Sequence, residues 1–346
     1  MKTFLLLCLL PVLVFGCKKV YIDPEINKLA EVRGYQNWYI GLYYRCGLFV
    51  PETYSPYKAY PLIIYLHGYS DTTSWDLEWY HDPIASEDPC IVLTPKCPKE
   101  DIYGWGSSYT PQTSPMMQMT YEMLAMVERA FNLDRNRYYI YGTSMGGFGT
   151  YGVIKKNPGM FAAGYVLCGN GNIDMAPLLS SMPFWIFHGS EDPVVPVQPA
   201  RDLYKAILDY GGKTIRYTEY QGVGHNVWDY TRNEATLQMW LLTQRKGQNF
   251  NAPKGLSIFA EAVPAAGKAY LRWEVPTEDR IHSENNVWFC RIYRDGKAIN
   301  EVYNNLHSYT DSSLTVNASY SYQIASVNYY FLESRLSEPV TITMAP

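Results

Sequence analysis

The sequence predicts a mostly parallel α/β sheet covered by helices, followed by a small all-β sandwich. Apolar strands and helical stretches alternate between residues 61 and 245, a pattern typical of parallel sheets with helices on both faces. Beyond residue 246 the pattern changes to short strands of alternating polar and apolar residues. A length of 346 residues is enough for one large domain and one smaller domain.

The N-terminal segment has the features of an export signal. A short basic start is followed by an apolar run of about 14 residues, which is too short to span a bilayer. The run ends in VFGC, residues 14–17, which resembles the lipobox of bacterial lipoproteins, in which the cysteine is acylated. We therefore expect a signal peptide over 1–16 and a tether over 17–35, with Cys17 anchoring an exported protein to a membrane facing the periplasm or the cell surface. An ordinary cleaved signal with an incidental cysteine is the alternative.

Residues 36–246 are predicted to form the first domain, with strands and helices in alternation. We predict a hairpin over 36–50 and strands at 61–66, 90–95, 138–142, 164–168, 183–188 and 214–220. Helices are predicted at about 118–132, 145–156, 199–211 and 232–245. Because the carboxyl ends of parallel strands meet at one edge of a sheet, the loops that follow the strands are expected to gather functional groups there.

A serine lies where the strand at 138–142 turns into the next helix. Ser144 is flanked by Gly142 and Gly146 in the sequence GTSMG. A serine hydroxyl is a weak nucleophile until a strained turn exposes it and a histidine accepts its proton. The glycines leave room for such a turn. Ser144 is therefore the candidate nucleophile.

A base is expected after the serine, following an acid, because strand–turn–helix serines have partners in the order Ser, Asp or Glu, His. Three of the four histidines after Ser144 also follow the acidic turn at residues 190–192. His282 and His307 fall in the predicted second domain. His225 lies in the glycine-rich sequence GVGHN directly after the strand at 214–220, and it is the candidate base.

The acid is expected between these two residues. Asp192 lies in the polar turn that ends the apolar strand at 183–188. Three other aspartates are rivals, but none directly follows a predicted core strand: Asp174, Asp209 and Asp229. Asp192 is therefore the candidate acid.

An oxyanion hole requires two backbone N–H donors aimed at the developing negative charge. One donor is expected at Met145, the residue after the serine. The other is expected after the strand at 61–66, where we favour the N–H of Tyr69, with Gly68 as the near alternative.

Together these segments resemble the α/β-hydrolase superfamily and, within it, esterases related to dienelactone hydrolases, polyhydroxyalkanoate depolymerase-type esterases and bacterial feruloyl esterases. The resembling stretches are 60–70, 91–98, 137–151, 182–197 and 217–242. The resemblance implies a serine carboxylic ester hydrolase in which Ser144, Asp192 and His225 are nucleophile, acid and base. It leaves the substrate open, since this scaffold serves many acyl donors.

Aromatic residues on the predicted catalytic edge suggest feruloyl or acetyl esters linked to polysaccharide as substrates. Trp105 and Trp228 are the candidate substrate contacts, and core packing is the alternative for such residues.

Two other functions stay open: a serine peptidase of the prolyl-oligopeptidase-like type, and a catalytically dead carbohydrate-binding lipoprotein.

Charge and motif content exclude several other classes. The net charge of −4 with no basic stripe argues against a nucleic-acid partner. No Cys/His cluster has metal-ligand spacing and no glycine-rich phosphate loop is present, so we predict no metal and no cofactor. Five cysteines remain beyond Cys8 and Cys17, and an odd, widely spaced set is not a disulfide framework.

The second domain is predicted over 253–346, after a polar linker at 247–252. Its predicted strands lie at 255–263, 269–275, 288–294 and 319–328. The pattern resembles a fibronectin type III domain, with Trp273 in the second strand and Tyr320 as the candidate tyrosine corner. We expect this domain to fold alone and its removal to spare the turnover of small esters. The alternative is that the sandwich packs against the first domain and closes one wall of the cleft.

Overall fold

The structure is a computed structural model that describes residues 28–40, 44–69, 88–98, 104–234, 236–247, 257–274, 287–303, 306–312, 314–328 and 332–345. The predicted signal peptide and Cys17 lie outside the described residues, as does most of the predicted linker. None of the helices within the described ranges is both long enough and apolar enough to cross a membrane. The described cysteines are all buried: Cys46, Cys90, Cys97, Cys168 and Cys290.

Eight strands form the large sheet of the described chain. They are β1 (Gly34–Ile40), β2 (Tyr44–Val50), β3 (Tyr60–Leu66), β4 (Ile91–Lys96), β5 (Leu133–Thr143), β6 (Ala163–Leu167), β7 (Phe184–Gly189) and β8 (Ile215–Tyr220). Their order across the sheet is β1-β2-β4-β3-β5-β6-β7-β8. The hairpin β1–β2 and the β2–β4 pair are antiparallel, and the other pairs are parallel. The carboxyl ends of β3 to β8 therefore share one edge.

Helices connect these strands near the four predicted places and at two others. They are α1 (Pro115–Ala130), α2 (Met145–Lys156), α3 (Ala176–Leu179), α4 (Gln198–Asp209), α5 (Trp228–Thr231) and α6 (Leu237–Thr243). The two short helices α3 and α5 were not predicted. Of the helix predicted at 232–245, the structure has only the shorter α6, and α5 ends before that range begins. Ser114 caps the start of helix α1 with its hydroxyl, which accepts the N–H of Met117, and Pro115 occupies the first helical position.

Alternate residues of the central strands point to opposite faces of the sheet, and both faces are buried. On one face, side chains such as Leu62, Ile140 and Ile186 pack against the helices. The other face is mostly aromatic. Rings there form a row across neighbouring strands, joined by the contacts Tyr65–Tyr141, Tyr141–Tyr165, Tyr165–Phe187 and Phe187–Tyr220 at centroid distances of 4.7, 4.5, 6.2 and 6.3 Å. These buried tyrosines account for part of the high tyrosine content of the chain, 32 residues, because tyrosine favours β-strands.

The C-terminal module, residues 257–345, consists of two small antiparallel sheets. Its strands are β9 (Ile258–Val263), β10 (Lys268–Trp273), β11 (Val287–Arg294), β12 (Lys297–Tyr303), β13 (Ser308–Asp311), β14 (Ser319–Asn328) and β15 (Val340–Thr343). The orders are β13-β10-β9 and β12-β11-β14-β15. Trp273 lies in the core between them. The hydroxyl of Tyr320 accepts the N–H of Thr315 at 2.9 Å, which is the type of bond that a tyrosine corner makes. The fibronectin type III identity stays a prediction.

This module packs directly on the aromatic face of the large sheet. Trp288 and Phe289 of β11 belong to the same apolar cluster as Trp185 of β7 and Trp240 of α6. The Arg216 guanidinium of β8 lies 4.4 Å from the ring centroid of Trp185 and 4.6 Å from that of Trp288. The module thus packs against the first domain, as the alternative expects, while its folding alone and the closing of a cleft wall stay predictions.

We expect Trp288→Ala to lower the free energy of unfolding of the whole chain by about 3–5 kcal/mol, because it leaves a cavity in the core shared by the two parts. Urea denaturation followed by tryptophan fluorescence measures this change. Tyr270→Ala is the control, since Tyr270 is 47% exposed and its loss should change stability by no more than about 0.5 kcal/mol. Two separate transitions, with only the smaller one affected by Trp288→Ala, would contradict the shared core.

Candidate active site

The serine lies on a strained turn between β5 and α2. Ser144 has φ 53° and ψ −115°, a conformation that L residues rarely adopt. Its N–H donates to the Leu167 carbonyl at 2.8 Å, which ties the turn to the end of β6. Gly146 lets the helix approach β3, because a Cβ at this position would lie 1.8 Å from the Leu66 carbonyl oxygen. The sequence thus places a half-buried serine at the carboxyl edge of the sheet.

His225 bridges Ser144 and Asp192. Its Nε2 lies 2.9 Å from Ser144 Oγ, and its Nδ1 lies 2.7 Å from Asp192 Oδ2. The carboxylate only accepts hydrogen bonds, so Nδ1 carries the proton and Nε2 is free to accept the serine proton. The three side chains that the sequence places after β5, β7 and β8 therefore form one continuous hydrogen-bonded chain.

Asp192 is held as a buried carboxylate. Its side chain is wholly shielded from solvent, whereas that of His225 is 19% exposed. Its other oxygen, Oδ1, accepts the N–H groups of Val194 and Val195, each at 2.9 Å. Burial by itself raises the pKa of Asp192, but the hydrogen bonds from His225 and from the two amides outweigh burial and hold that pKa below its ordinary value. The rival aspartates Asp174 and Asp209 pair with lysines, and Asp229 lies near Arg232.

The acid loop and the base loop are fastened to each other. The N–H of Gly222 donates to Ser190 Oγ at 2.8 Å, and the N–H of Glu191 donates to the Val223 carbonyl at 3.0 Å. Gly189 permits this contact, because a Cβ there would lie 2.2 Å from the carbonyl oxygen of Gly224. The distance between Asp192 and His225 is thus set by backbone contacts.

The turn after β3 is held by a buried histidine that the sequence analysis did not single out. His67 accepts the N–H of Cys97 on Nε2 at 2.9 Å and donates from Nδ1 to the Gly68 carbonyl at 2.7 Å. Gly68 lies beside the nucleophile, because a Cβ there would be 3.7 Å from Ser144 Cβ. The backbone of the predicted oxyanion turn is therefore fixed next to Ser144.

The predicted oxyanion donors flank the serine. Met145 is the first residue of α2, and its side chain packs against the loop at Gly104, where a Cβ would lie 2.7 Å from Met145 Sδ. Tyr69 follows Gly68, and its side chain is 65% exposed. The N–H groups of Tyr69 and Met145 thus stay the candidate donors.

The two tryptophans predicted as substrate contacts differ in their surroundings. Trp105 is only 2% exposed, and its Nε1 donates to the His67 carbonyl at 2.8 Å. It supports the oxyanion turn and does not present its ring to a cleft, so the expectation of a substrate contact is corrected here. Trp228 is half-buried and packs edge-on against the His225 ring at 5.7 Å, and its substrate contact stays a prediction.

Three potential metal ligands meet behind the serine. Single ligand atoms of Cys168, Asp192 and His225 lie within 4.8 Å of one another. Burial and the nearby Asp192 charge raise the pKa of the Cys168 thiol well above its ordinary value, whereas a metal binds the thiolate. The histidine and the aspartate are also bonded to each other. The cluster therefore fits the hydrogen-bonded chain of Asp192, His225 and Ser144 better than a metal centre.

A cavity of about 330 Å³ lies at the opposite edge of the sheet. Its lining includes Phe161, Pro183 and Arg245, near the amino ends of β6 and β7. It is therefore remote from Ser144.

Comparisons with known proteins point to esterases. A family model described as "Putative esterase" matches residues 40–207, just under half of the chain. The bifunctional acetylxylan esterase/xylanase XynS20E of Neocallimastix patriciarum is 24% identical over 165 residues, which cover 47% of this chain and 23% of that protein. A thermostable esterase of known structure is 29% identical with a TM-score of 0.55, covering 61% of this chain and 63% of that chain. A ferulic acid esterase structure is 18% identical with a TM-score of 0.49, covering 60% of this chain and 96% of that chain.

The family match spans β2 to β7 of the large sheet and ends before β8. The chain spans about a quarter of the length of the curated relative and less than two thirds of that of the thermostable esterase. The mixed α/β core resembles that of the thermostable esterase, and the match of residues 40–207 includes β5, α2 and Ser144.

A second buried histidine near the acid predicts a pH dependence of stability. Burial lowers the pKa of His188 in the folded chain, whereas the unfolded chain takes up a proton near its ordinary pKa of about 6.5. The free energy of unfolding should therefore fall as the pH drops from about 7.5 to about 5, because the unfolded state binds more protons. His188→Gln should lose less stability over this range in urea denaturation, and the exposed His307→Gln is the control. Equal pH dependence in wild type and His188→Gln would contradict the prediction.

Proposed function

We propose that this chain is a serine hydrolase that cleaves carboxylic esters through an acyl-enzyme. One observation carries the proposal: the hydrogen-bonded chain from Asp192 through His225 to Ser144, with the serine on a strained strand-to-helix turn. The putative esterase match over residues 40–207 and the likeness to a thermostable esterase support the same reaction class.

The geometry supports a two-step mechanism. Ser144 Oγ attacks the ester carbonyl while His225 Nε2 accepts its proton over 2.9 Å. Asp192, fixed as a carboxylate, holds the imidazole in the required tautomer and stabilises the imidazolium. His225 then protonates the leaving alcohol. Water repeats the attack on the acyl-enzyme, with the same histidine as base, and the acid is released.

The oxyanion of each tetrahedral intermediate is assigned to two backbone donors, the N–H groups of Met145 and Tyr69. Such donors stabilise charge only where it develops, so their placement must be rigid before the reaction. The His67 contacts to Gly68 and Cys97 supply that rigidity on one side, and the start of α2 supplies it on the other.

We propose esters carried on polysaccharide, with feruloyl or acetyl groups, as the substrate class. The curated relative is named as an acetylxylan esterase and xylanase, which supports a xylan-type ester. The half-buried ring of Trp228 beside His225 offers an aromatic surface near the leaving group, where a sugar or phenolic ring would pack.

The test is a substrate panel on purified protein: p-nitrophenyl acetate, methyl ferulate, acetylated xylan and aminoacyl-naphthylamides. We expect turnover of the esters and none of the amides. Amide turnover without ester turnover would indicate a peptidase, and no turnover of any compound would indicate a binding protein with an inactive hydrolase fold.

Ser144→Ala should lower kcat on the esters on the order of a millionfold and abolish labelling by a fluorophosphonate probe, because no other group can form the acyl-enzyme. Ser181→Ala is the matched control, since Ser181 is an exposed serine at the opposite edge of the sheet. Retention of near wild-type turnover by Ser144→Ala would show that another residue is the nucleophile.

We further propose that the protein is an exported lipoprotein held at a membrane surface through Cys17. The apolar run ending in VFGC supports this placement. Cys17→Ser should move the protein from the membrane fraction to the soluble fraction or leave it unprocessed, whereas Cys8→Ser should change neither. A mature chain that starts elsewhere with an unmodified thiol, detected by mass spectrometry, would contradict the anchor.

A further inference from the structure

A buried histidine lies directly beneath the candidate acid and has no part in the mechanism above. His188 is the penultimate residue of β7 and is fully shielded from solvent. Its Nε2 lies 2.9 Å from the Val195 carbonyl oxygen and 3.4 Å from Asp192 Oδ2. This second atom is the carboxylate oxygen that also receives the His225 hydrogen bond.

The partners of His188 determine where its proton lies. The Val195 carbonyl and the Asp192 carboxylate can only accept hydrogen bonds, so Nε2 must carry the proton. Nδ1 is buried and has no hydrogen-bond partner among the described residues. A neutral ring with its proton on Nε2 leaves Nδ1 as an unpaired acceptor, whereas an imidazolium would bury a second N–H donor without an acceptor and add a charge.

The neutral state of this ring matters for its neighbour. A positive charge beside Asp192 would compensate the carboxylate and weaken its attraction for the imidazolium that forms on His225. Burial lowers the pKa of His188 and opposes that charge. The charged and titratable groups around it are Asp192, His225 and Glu219. His188 thus supplies a hydrogen-bond donor without supplying a charge.

The Nε2–H group of His188 also holds the loop that carries Asp192 in place. The Val195 N–H donates to Asp192 Oδ1 while the Val195 carbonyl accepts from His188. Next to it, the side-chain amide of the buried Asn170 donates to the Pro196 carbonyl at 2.9 Å. The segment after Asp192 is therefore held by side chains of β7 and of the loop after β6, and His188 alone among these contacts both the loop and the carboxylate.

We infer that His188 is a positioning residue for catalysis: it fixes the Asp192 carboxylate and its loop so that the acid meets His225 Nδ1. The inference rests on the proposed ester hydrolysis. His188 does not touch substrate and acts through Asp192.

Two substitutions separate the donor from the ring. His188→Phe keeps a planar ring but removes the donor, and we expect kcat on p-nitrophenyl acetate to fall about tenfold or more with KM little changed. His188→Gln keeps an N–H donor at nearly the reach of Nε2 and should stay within about threefold of wild type. His188→Asn, whose amide is too short to reach, is a second donor-loss variant and should behave like His188→Phe.

A double-mutant cycle with Asp192→Asn distinguishes positioning from a general structural role. If His188 acts through the carboxylate, His188→Phe should change kcat less than about twofold in the Asp192→Asn background. Rates are normalised to active sites by fluorophosphonate titration, so partial unfolding does not count as lost catalysis. An equal loss in both backgrounds, or full activity of both donor-loss variants, would overturn the inference. Absence of ester turnover in the wild-type protein would instead contradict the proposed function.

Discussion

The close contact between the start of α2 and the ends of β3 and β6 is the constraint on which the site depends. Gly146 lies against the Leu66 carbonyl, and the strained Ser144 is tied by its N–H to Leu167. These contacts exclude any side chain at residue 146 and prevent Ser144 from moving to a less strained backbone conformation. A conformation that costs about 1–3 kcal/mol persists only where the surroundings determine it in this way. The hydroxyl therefore reaches the carboxyl edge of the sheet, where the acid and base loops already lie.

Fixed backbone segments also hold the other members of the hydrogen-bonded chain in place. Two histidines, His67 and His188, each stand before a glycine at the end of a parallel strand, β3 and β7. Both are buried, and both bond a loop carbonyl or amide with a ring nitrogen. Each histidine therefore fixes the loop that follows its strand. His67 fixes the turn that carries one of the candidate oxyanion donors, and His188 fixes the loop that carries Asp192.

Much of this arrangement was predictable from the sequence, and the remainder required contacts distant along the chain. The alternation of strands and helices predicts that Ser144, Asp192 and His225 meet at one edge, because parallel strands end together. The support given by His67 depends on contacts with Cys97 and Trp105, which lie thirty or more residues away along the chain. A local sequence pattern does not reveal such contacts, and Trp105 was therefore predicted to touch substrate. The docking of the C-terminal module had a signal that was not used. Residues 287–290 are four consecutive buried apolar residues, VWFC, where a half-exposed strand would alternate.

The shared aromatic core also bears on how such a chain can evolve. The Arg216 guanidinium packs against both Trp185 of the large sheet and Trp288 of the C-terminal module. The two parts therefore share one hydrophobic core. Recombination that exchanged the module for an unrelated one would uncover tryptophans and a cation adapted to those rings. The boundary near residue 247 therefore marks a change of architecture but not a unit of inheritance. Lineages that shuffle this catalytic core are expected to carry the C-terminal sandwich with it, or to replace this apolar face with polar residues.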